Sequence, residues 1–269
     1  MIHTLRSGQK MYYELTGNYS SGKTIVFLNG LSQSTLSWSL MTQAFISEYK
    51  ILLLDFIFQG QSDKTGEYKT FDEHASDLNE ITELLHMDRF VLCGISYGSL
   101  VAQHYAVNYP DRIGHLVLMS TFAHKTPYFE AIENSWWKAL ELGGYSLLLD
   151  VMLPSVLSEN YFHNPLIPIE LMKKSRKEIN EDPQALFKLM KATKEQVDYR
   201  QELKKVKAPT LILHGEKDLL VPLHLAEAVH QSISRAELEV YSGIGHTLNL
   251  EAFKECADSI QRFLLKEII

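Results

Sequence analysis

Residues 90–102 read Phe90-Val91-Leu92-Cys93-Gly94-Ile95-Ser96-Tyr97-Gly98-Ser99-Leu100-Val101-Ala102. The first three are apolar and suit a buried strand, while the run from Leu100 to Ala106 suits a helix. Between them Gly94, Ser96 and Gly98 form a G-x-S-x-G pattern. A strand-to-helix turn this tight strains the backbone of its central residue and lifts that side chain clear of the sheet. Small residues two positions to either side let the turn close. Ser96 is therefore the candidate nucleophile.

A serine hydroxyl is a weak nucleophile near neutral pH and needs an imidazole to take its proton, oriented in turn by a carboxylate. Pro209-Thr210-Leu211-Ile212-Leu213-His214-Gly215-Glu216-Lys217-Asp218 reads as a buried strand ending in a polar loop. Leu238-Glu239-Val240-Tyr241-Ser242-Gly243-Ile244-Gly245-His246 reads as a second strand, then a loop that two glycines free to turn. Asp218 and His246 are the candidate acid and base, with Glu216 as the rival acid. The other ten histidines, His104 and His214 among them, read as packing or surface residues.

Expected strands cover 1–6, 11–15, 24–28, 51–56, 90–94, 115–119, 210–214 and 238–241, with helical patterns over 71–85, 98–108, 222–233 and 249–266. This alternation predicts an α/β fold: a mostly parallel eight-stranded sheet with helices on both faces, after an antiparallel start across Ser7-Gly8-Gln9. A ligand site belongs at the carboxyl ends of such strands, where all three candidates fall. The rhythm breaks between about 123 and 206, where only helical patterns occur, over 128–142, 145–153, 168–178 and 183–194. The expected division is a core of 1–122 and 207–269 with a helical insertion of 123–206.

Ser, Asp and His in this chain order, each after a strand, resemble the α/β-hydrolase fold proteins that carry a small helical cap, and the likeness runs from end to end. The resemblance implies a triad of Ser96, Asp218 and His246, and favours Asp218 over Glu216 through the Lys-Asp-x-x-x-Pro context at 217–222. It implies an oxyanion hole from the backbone N–H groups of Leu31 and Tyr97. Relatives commonly have His-Gly where this chain has Asn29-Gly30; that His is usually structural, so the change leaves the chemistry intact. Asn29-Gly30, the stretch 55–62 and the stretch 245–251 also resemble 3-(3-hydroxyalkanoyloxy)alkanoate synthases.

The reaction so implied is hydrolysis of a carboxylic ester or thioester with an apolar acyl or alkyl part. Two alternatives share the site: acyl transfer to a hydroxyacyl acceptor, and a ligand receptor or signalling protein that keeps the triad. Dehalogenase and epoxide hydrolase activities are disfavoured because such relatives carry Asp at the position of Ser96. C–C bond hydrolysis is disfavoured because Thr247 stands where those relatives usually have Trp. Tyr128, Trp136, Trp137 and Phe162 are the candidate pocket residues of the cap.

The chain has 269 residues, 45% hydrophobic and 22% charged, long enough for one large domain. Its net charge of −7 argues against nucleic acid as a partner. No run of 18 apolar residues reads as a spanning helix, and no leader pattern opens the chain, so a cytoplasmic location is expected. Cys93 and Cys256 read as small buried hydrophobes, and no Cys/His spacing calls for a metal or cofactor. Residues 171–207 hold 11 Lys/Arg against 6 Asp/Glu, a local excess of +5. Such a basic face could dock an acyl-carrier protein or coenzyme A; the favoured reading is solvated faces of surface helices.

Overall fold

The computed structural model describes residues 1–179 and 182–266. Eight strands form one sheet in the order β1-β2-β4-β3-β5-β6-β7-β8: β1 Ile2–Thr4, β2 Lys10–Gly17, β3 Thr24–Leu28, β4 Lys50–Leu54, β5 Phe90–Ile95, β6 Ile113–Met119, β7 Thr210–Gly215 and β8 Ala236–Tyr241. β2 pairs antiparallel with β1 and with β4, and every later pairing is parallel. Strands buried on both faces carry apolar side chains at consecutive positions, and alternation sends each to one of two cores. Val26, Leu28, Leu52, Leu54 and Leu92 enter one core. Ile25, Phe27, Ile51, Leu53 and Cys93 enter the other.

The first core is closed by α1 Phe71–Leu84, α2 Tyr97–Asn108 and α8 Leu223–Ser232. α1 starts at a capping box, in which Thr70 accepts from the Glu73 N–H and Glu73 accepts from the Thr70 N–H. The second core is closed by α10 Phe253–Lys266 and by two 3-10 turns that seat Trp38, Met41 and Phe45. The helix expected over 249–266 is two helices, α9 Leu248–Glu251 and α10, because Ala252 leaves helical geometry at φ −138°, ψ 36°.

Between β6 and β7 lie α3 Pro127–Val156, α4 Glu159–His163, α5 Ile169–Ile179, α6 Pro183–Glu195 and α7 Arg200–Leu203. The patterns over 128–142 and 145–153 prove to be two limbs of α3 joined at Gly144, whose φ of 63° and ψ of −161° kink the axis. By length and composition α3 could cross a membrane, yet 44% of its most apolar window is buried within the protein and the kink interrupts it. α7 lies inside the 123–206 insertion but packs on α2 and α8. Tyr199, just before it, stacks on His104 of α2 at 3.9 Å, and its N–H donates to Ala123 O at 2.8 Å, closing the insertion at its neck.

Candidate active site

Ser96 stands between β5 and α2 with φ 52° and ψ −117°, a conformation that costs a non-glycine residue about 1–3 kcal/mol. The turn is possible because two glycines face each other and the neighbouring strand. A Cβ on Gly94 would lie 2.3 Å from Gly98 O, and one on Gly98 would lie 2.3 Å from Leu28 O. The strained turn is held from below. Ser96 N donates to Met119 O at 2.9 Å, Ser99 Oγ lies 2.6 Å from Ser96 O, and Gln103 Nε2 donates to Thr121 Oγ1 and Phe122 O.

Asp218 and His246 lie side by side. Asp218 Oδ2 accepts from His246 Nδ1–H at 2.7 Å, both residues being buried, which leaves Nε2 as the basic nitrogen. Asp218 Oδ1 accepts from the N–H groups of Leu220 and Val221, at 3.0 and 2.8 Å. Buried His214 donates from Nε2 to Val221 O at 2.9 Å and braces the same turn; burial lowers its pKa, keeping it neutral. Glu216 does something else. It accepts from Ser242 Oγ and Gly243 N, both at 2.9 Å, and so shapes the start of the loop that carries His246.

That loop is also fixed at its far end. Ser120 Oγ donates to His246 O at 2.7 Å, and Glu251 Oε2 accepts from Gly245 N and Ser158 N. Val156 O, at the end of α3, accepts from His246 N, Thr247 N and Thr247 Oγ1, each at 3.1 Å. Among the described residues, His246 Nε2 has no hydrogen-bond partner, so no bond to Ser96 is formed. Both residues line the same cavity. Such contacts commonly close only when substrate is bound.

The Leu31 and Tyr97 amides border that cavity, and no hydrogen bond within the described residues engages either N–H. Tyr97 opens α2, where the first N–H groups have no intrahelical partner. Leu31 is positioned by a buried polar network. Gln59 Nε2 donates to Gly30 O at 2.9 Å and Leu31 O at 3.2 Å, while Gln33 Oε1 accepts from Gly30 N at 3.0 Å. Asn29 Nδ2 donates to Leu54 O and Asp55 Oδ1, and Asn29 Oδ1 accepts from Trp38 Nε1 at 2.9 Å. Gln33 is itself tied to Asn249 at 3.3 Å, across 216 residues of chain.

The cavity holds about 750 Å³ of empty space, part of it open to solvent at its mouth. α3 lines it with Phe129, Glu133 and Trp136 before the kink and with Met152 and Val156 after it. Of the four expected cap residues only Trp136 lies on this wall. The face that carries 129, 133 and 136 turns its neighbours away: Tyr128 is 54% exposed, and Trp137 packs on Phe187 at 4.8 Å over a separate surface hollow. Phe162, on α4, borders a different groove with Lys217 and Leu219. Arg176 also lines the cavity, 3.5 Å from Ser32 Oγ, a role its basic neighbours Lys173, Lys174 and Lys177 had hidden in the sequence.

The rest of the basic segment is largely engaged with neighbours. Lys173 pairs with Asp150, Lys191 with Glu195, Arg200 with Asp198, Lys205 with Glu202 and Lys207 with Asp111. The ammonium groups of Lys188 and Lys194 sit over the rings of Phe58 and Trp137. Cys93 is fully buried, and burial pushes its thiol well up, so it stays protonated. Among the described residues no group of three His, Cys, Asp or Glu side chains is placed to hold a metal ion.

Residues 23–253 match the family model of the α/β hydrolase fold. Among curated proteins the chain is 25% identical over 266 residues to a putative carbamate hydrolase, RutD, of Rhizobium rhizogenes, covering 94% of this chain and 97% of that one. It is 26% identical to a 2-hydroxy-6-oxononadienedioate/2-hydroxy-6-oxononatrienedioate hydrolase of Paraburkholderia phymatum, covering 91% and 88%. Among solved structures it superposes on MGS-M2, an α/β hydrolase enzyme from a Medee basin deep-sea metagenome library, with a TM-score of 0.88 at 27% identity, covering 98% and 97%. A thermophilic esterase from Thermogutta terrifontis shares the fold at a TM-score of 0.86 and 24% identity, covering 99% and 98%.

Proposed function

The chain belongs to the α/β hydrolase fold family and is a hydrolase, and we propose that it opens a carboxylic ester through an acyl-enzyme on Ser96. The observation that carries this reading is one cavity bordered by a strained serine, a carboxylate-oriented imidazole and two unengaged amides. Ser96 Oγ attacks the carbonyl carbon while His246 Nε2 takes its proton, and Asp218 stabilises the imidazolium that results. The oxyanion receives the Leu31 and Tyr97 N–H groups, each such donor being worth about 3 kcal/mol of barrier. As the tetrahedral adduct collapses, His246 returns the proton to the departing alkoxide, releasing the alcohol. Water then enters, gives a proton to His246 and attacks the acyl carbon; collapse frees the acid and restores the Ser96 hydroxyl.

The apolar side chains around the site support an apolar acyl or alkyl part. The relatives include a putative carbamate hydrolase and a 2-hydroxy-6-oxononadienedioate/2-hydroxy-6-oxononatrienedioate hydrolase, so carbamates and such dioates are the comparisons to run beside esters. The basic segment lends little to a carrier-linked donor, since most of its charges are taken up by neighbours. The test is fluorophosphonate labelling followed by turnover on matched ester, thioester, lactone, carbamate and C–C substrates. Ser96→Ala is expected to lose labelling and about 10⁶ in kcat while keeping its circular dichroism spectrum. Labelling that survives in Ser96→Ala, or wild-type turnover confined to non-ester bonds, would overturn the reading.

A further inference from the structure

The N-terminal limb of α3 presents Phe129, Glu133 and Trp136 to the cavity at helical spacings of four and three. Two of these are aromatic and one is a carboxylate. A charge in a largely apolar wall is unfavourable unless it is both paired and hydrogen-bonded. Glu133 is 8% exposed and borders the cavity among mostly apolar side chains. Its partner is Lys125, whose Nζ lies 3.7 Å away, beyond hydrogen-bonding distance. That ammonium donates instead to Thr193 O at 3.0 Å and Lys194 O at 2.5 Å, binding the end of α6. Lys125 is thus shared between the carboxylate of Glu133 and two carbonyls of α6, and holds Glu133 at long range. Burial also raises the Glu133 pKa, with Lys125 opposing the shift.

A group that completes this site must offer a hydrogen and add no positive charge. An ammonium would meet Lys125 at close range, whereas a hydroxyl would not, and a hydroxyl bonds equally well to a carboxylate or to a carboxylic acid. Resting on the ester-hydrolase reading, we propose that Glu133 is a specificity-determining residue that binds a hydroxyl on the acyl or alkyl part of the substrate. The enzyme accordingly prefers hydroxylated esters to their unsubstituted counterparts.

The experiment compares p-nitrophenyl octanoate with its 3-, 6-, 7- and 8-hydroxy derivatives and with the 8-amino derivative, read as ratios of kcat/KM. Wild type is expected to favour at least one hydroxy isomer over octanoate by about tenfold or more, because a polar site left unpaired rejects the analogue that lacks the group. Glu133→Leu should bring that ratio to about one, and Glu133→Gln should retain part of it. Loss of structure lowers both substrates together and leaves the ratio alone. The double variant Lys125→Met/Glu133→Leu removes both charges at once, guards against an uncompensated lysine, and should also abolish the preference. Equal ratios in wild type and Glu133→Leu, or a preference for the amino ester, would overturn the proposal. Failure of the wild type to cleave any ester, octanoate included, overturns the ester reading and this proposal with it.

Discussion

On the core side of the cavity, each group with a proposed chemical role rides on backbone fixed by polar contacts. On the cap side, the groups are mostly apolar side chains set along one face of a kinked helix. The Leu31 amide is located by Gln59, Gln33 and Asn29, and the Asp218 carboxylate by the Leu220 and Val221 amides. Phe129 and Trp136 are located by helical phase and packing. Polar networks place atoms to fractions of an ångström but leave costly orphans when one member goes. Apolar walls set shape and tolerate exchange more readily. The difference teaches where this enzyme keeps its chemistry and where its choice of substrate is open to change.

The sharpest way to break this comparison lies on the core side. Asp218→Asn is expected to lower kcat about 10⁴-fold, while Glu216→Gln stays within a few-fold of wild type; the reverse order in steady-state assays would move the acid. Next, Gln59→Leu frees the Gly30 and Leu31 carbonyls and should lower kcat about 100-fold with little change in KM, a loss comparable to that of one oxyanion donor. An effect on KM alone would place Gln59 in substrate binding instead.

A smaller effect concerns stability. His74 is fully buried against Phe56 and Tyr97 with neither ring nitrogen bonded, and burial, helped by Lys69, lowers its pKa to about 3. The folded state therefore binds this proton more weakly than the unfolded chain. Its contribution to stability is complete above pH 6.5 and is lost as pH falls from there toward 3. At pH 5 the loss is about 2 kcal/mol, near 30-fold in the folding constant. Urea titrations across pH should show His74→Phe with a shallower acid decline than wild type. The smallest change belongs to the cap: Trp136→Ala should lower kcat/KM about tenfold for long acyl esters and spare acetyl esters, while Tyr128→Ala alters neither.

The same division marks what could be read from the chain. β3 falls at 24–28 as its apolar run predicts, and the elbow at Ser96 follows from two glycines whose spacing is local. The cap aromatics were legible as a group but not by direction. One step along a helix turns a side chain by about 100°, which separates Trp136 in the cavity from Trp137 on the surface. Asn29 read as a change without consequence for the chemistry. Its neighbours Leu54, Asp55 and Trp38 give it a structural task that no local pattern discloses. The break at Ala252 was equally hidden, since Glu251 bonds back to Gly245 and across to Ser158, contacts set by tertiary structure.

The Val156 carbonyl, which takes three donors from the His246 loop, has a consequence for motion. Moving the end of α3 would break those three bonds and drag the imidazole with it. Movement that admits a substrate is therefore expected in the limb before the Gly144 kink, while 145–156 stays with the sheet. Amide protons of 145–156 should accordingly exchange as slowly as those of β6, and those of 127–142 sooner, so that one helix reports two lifetimes.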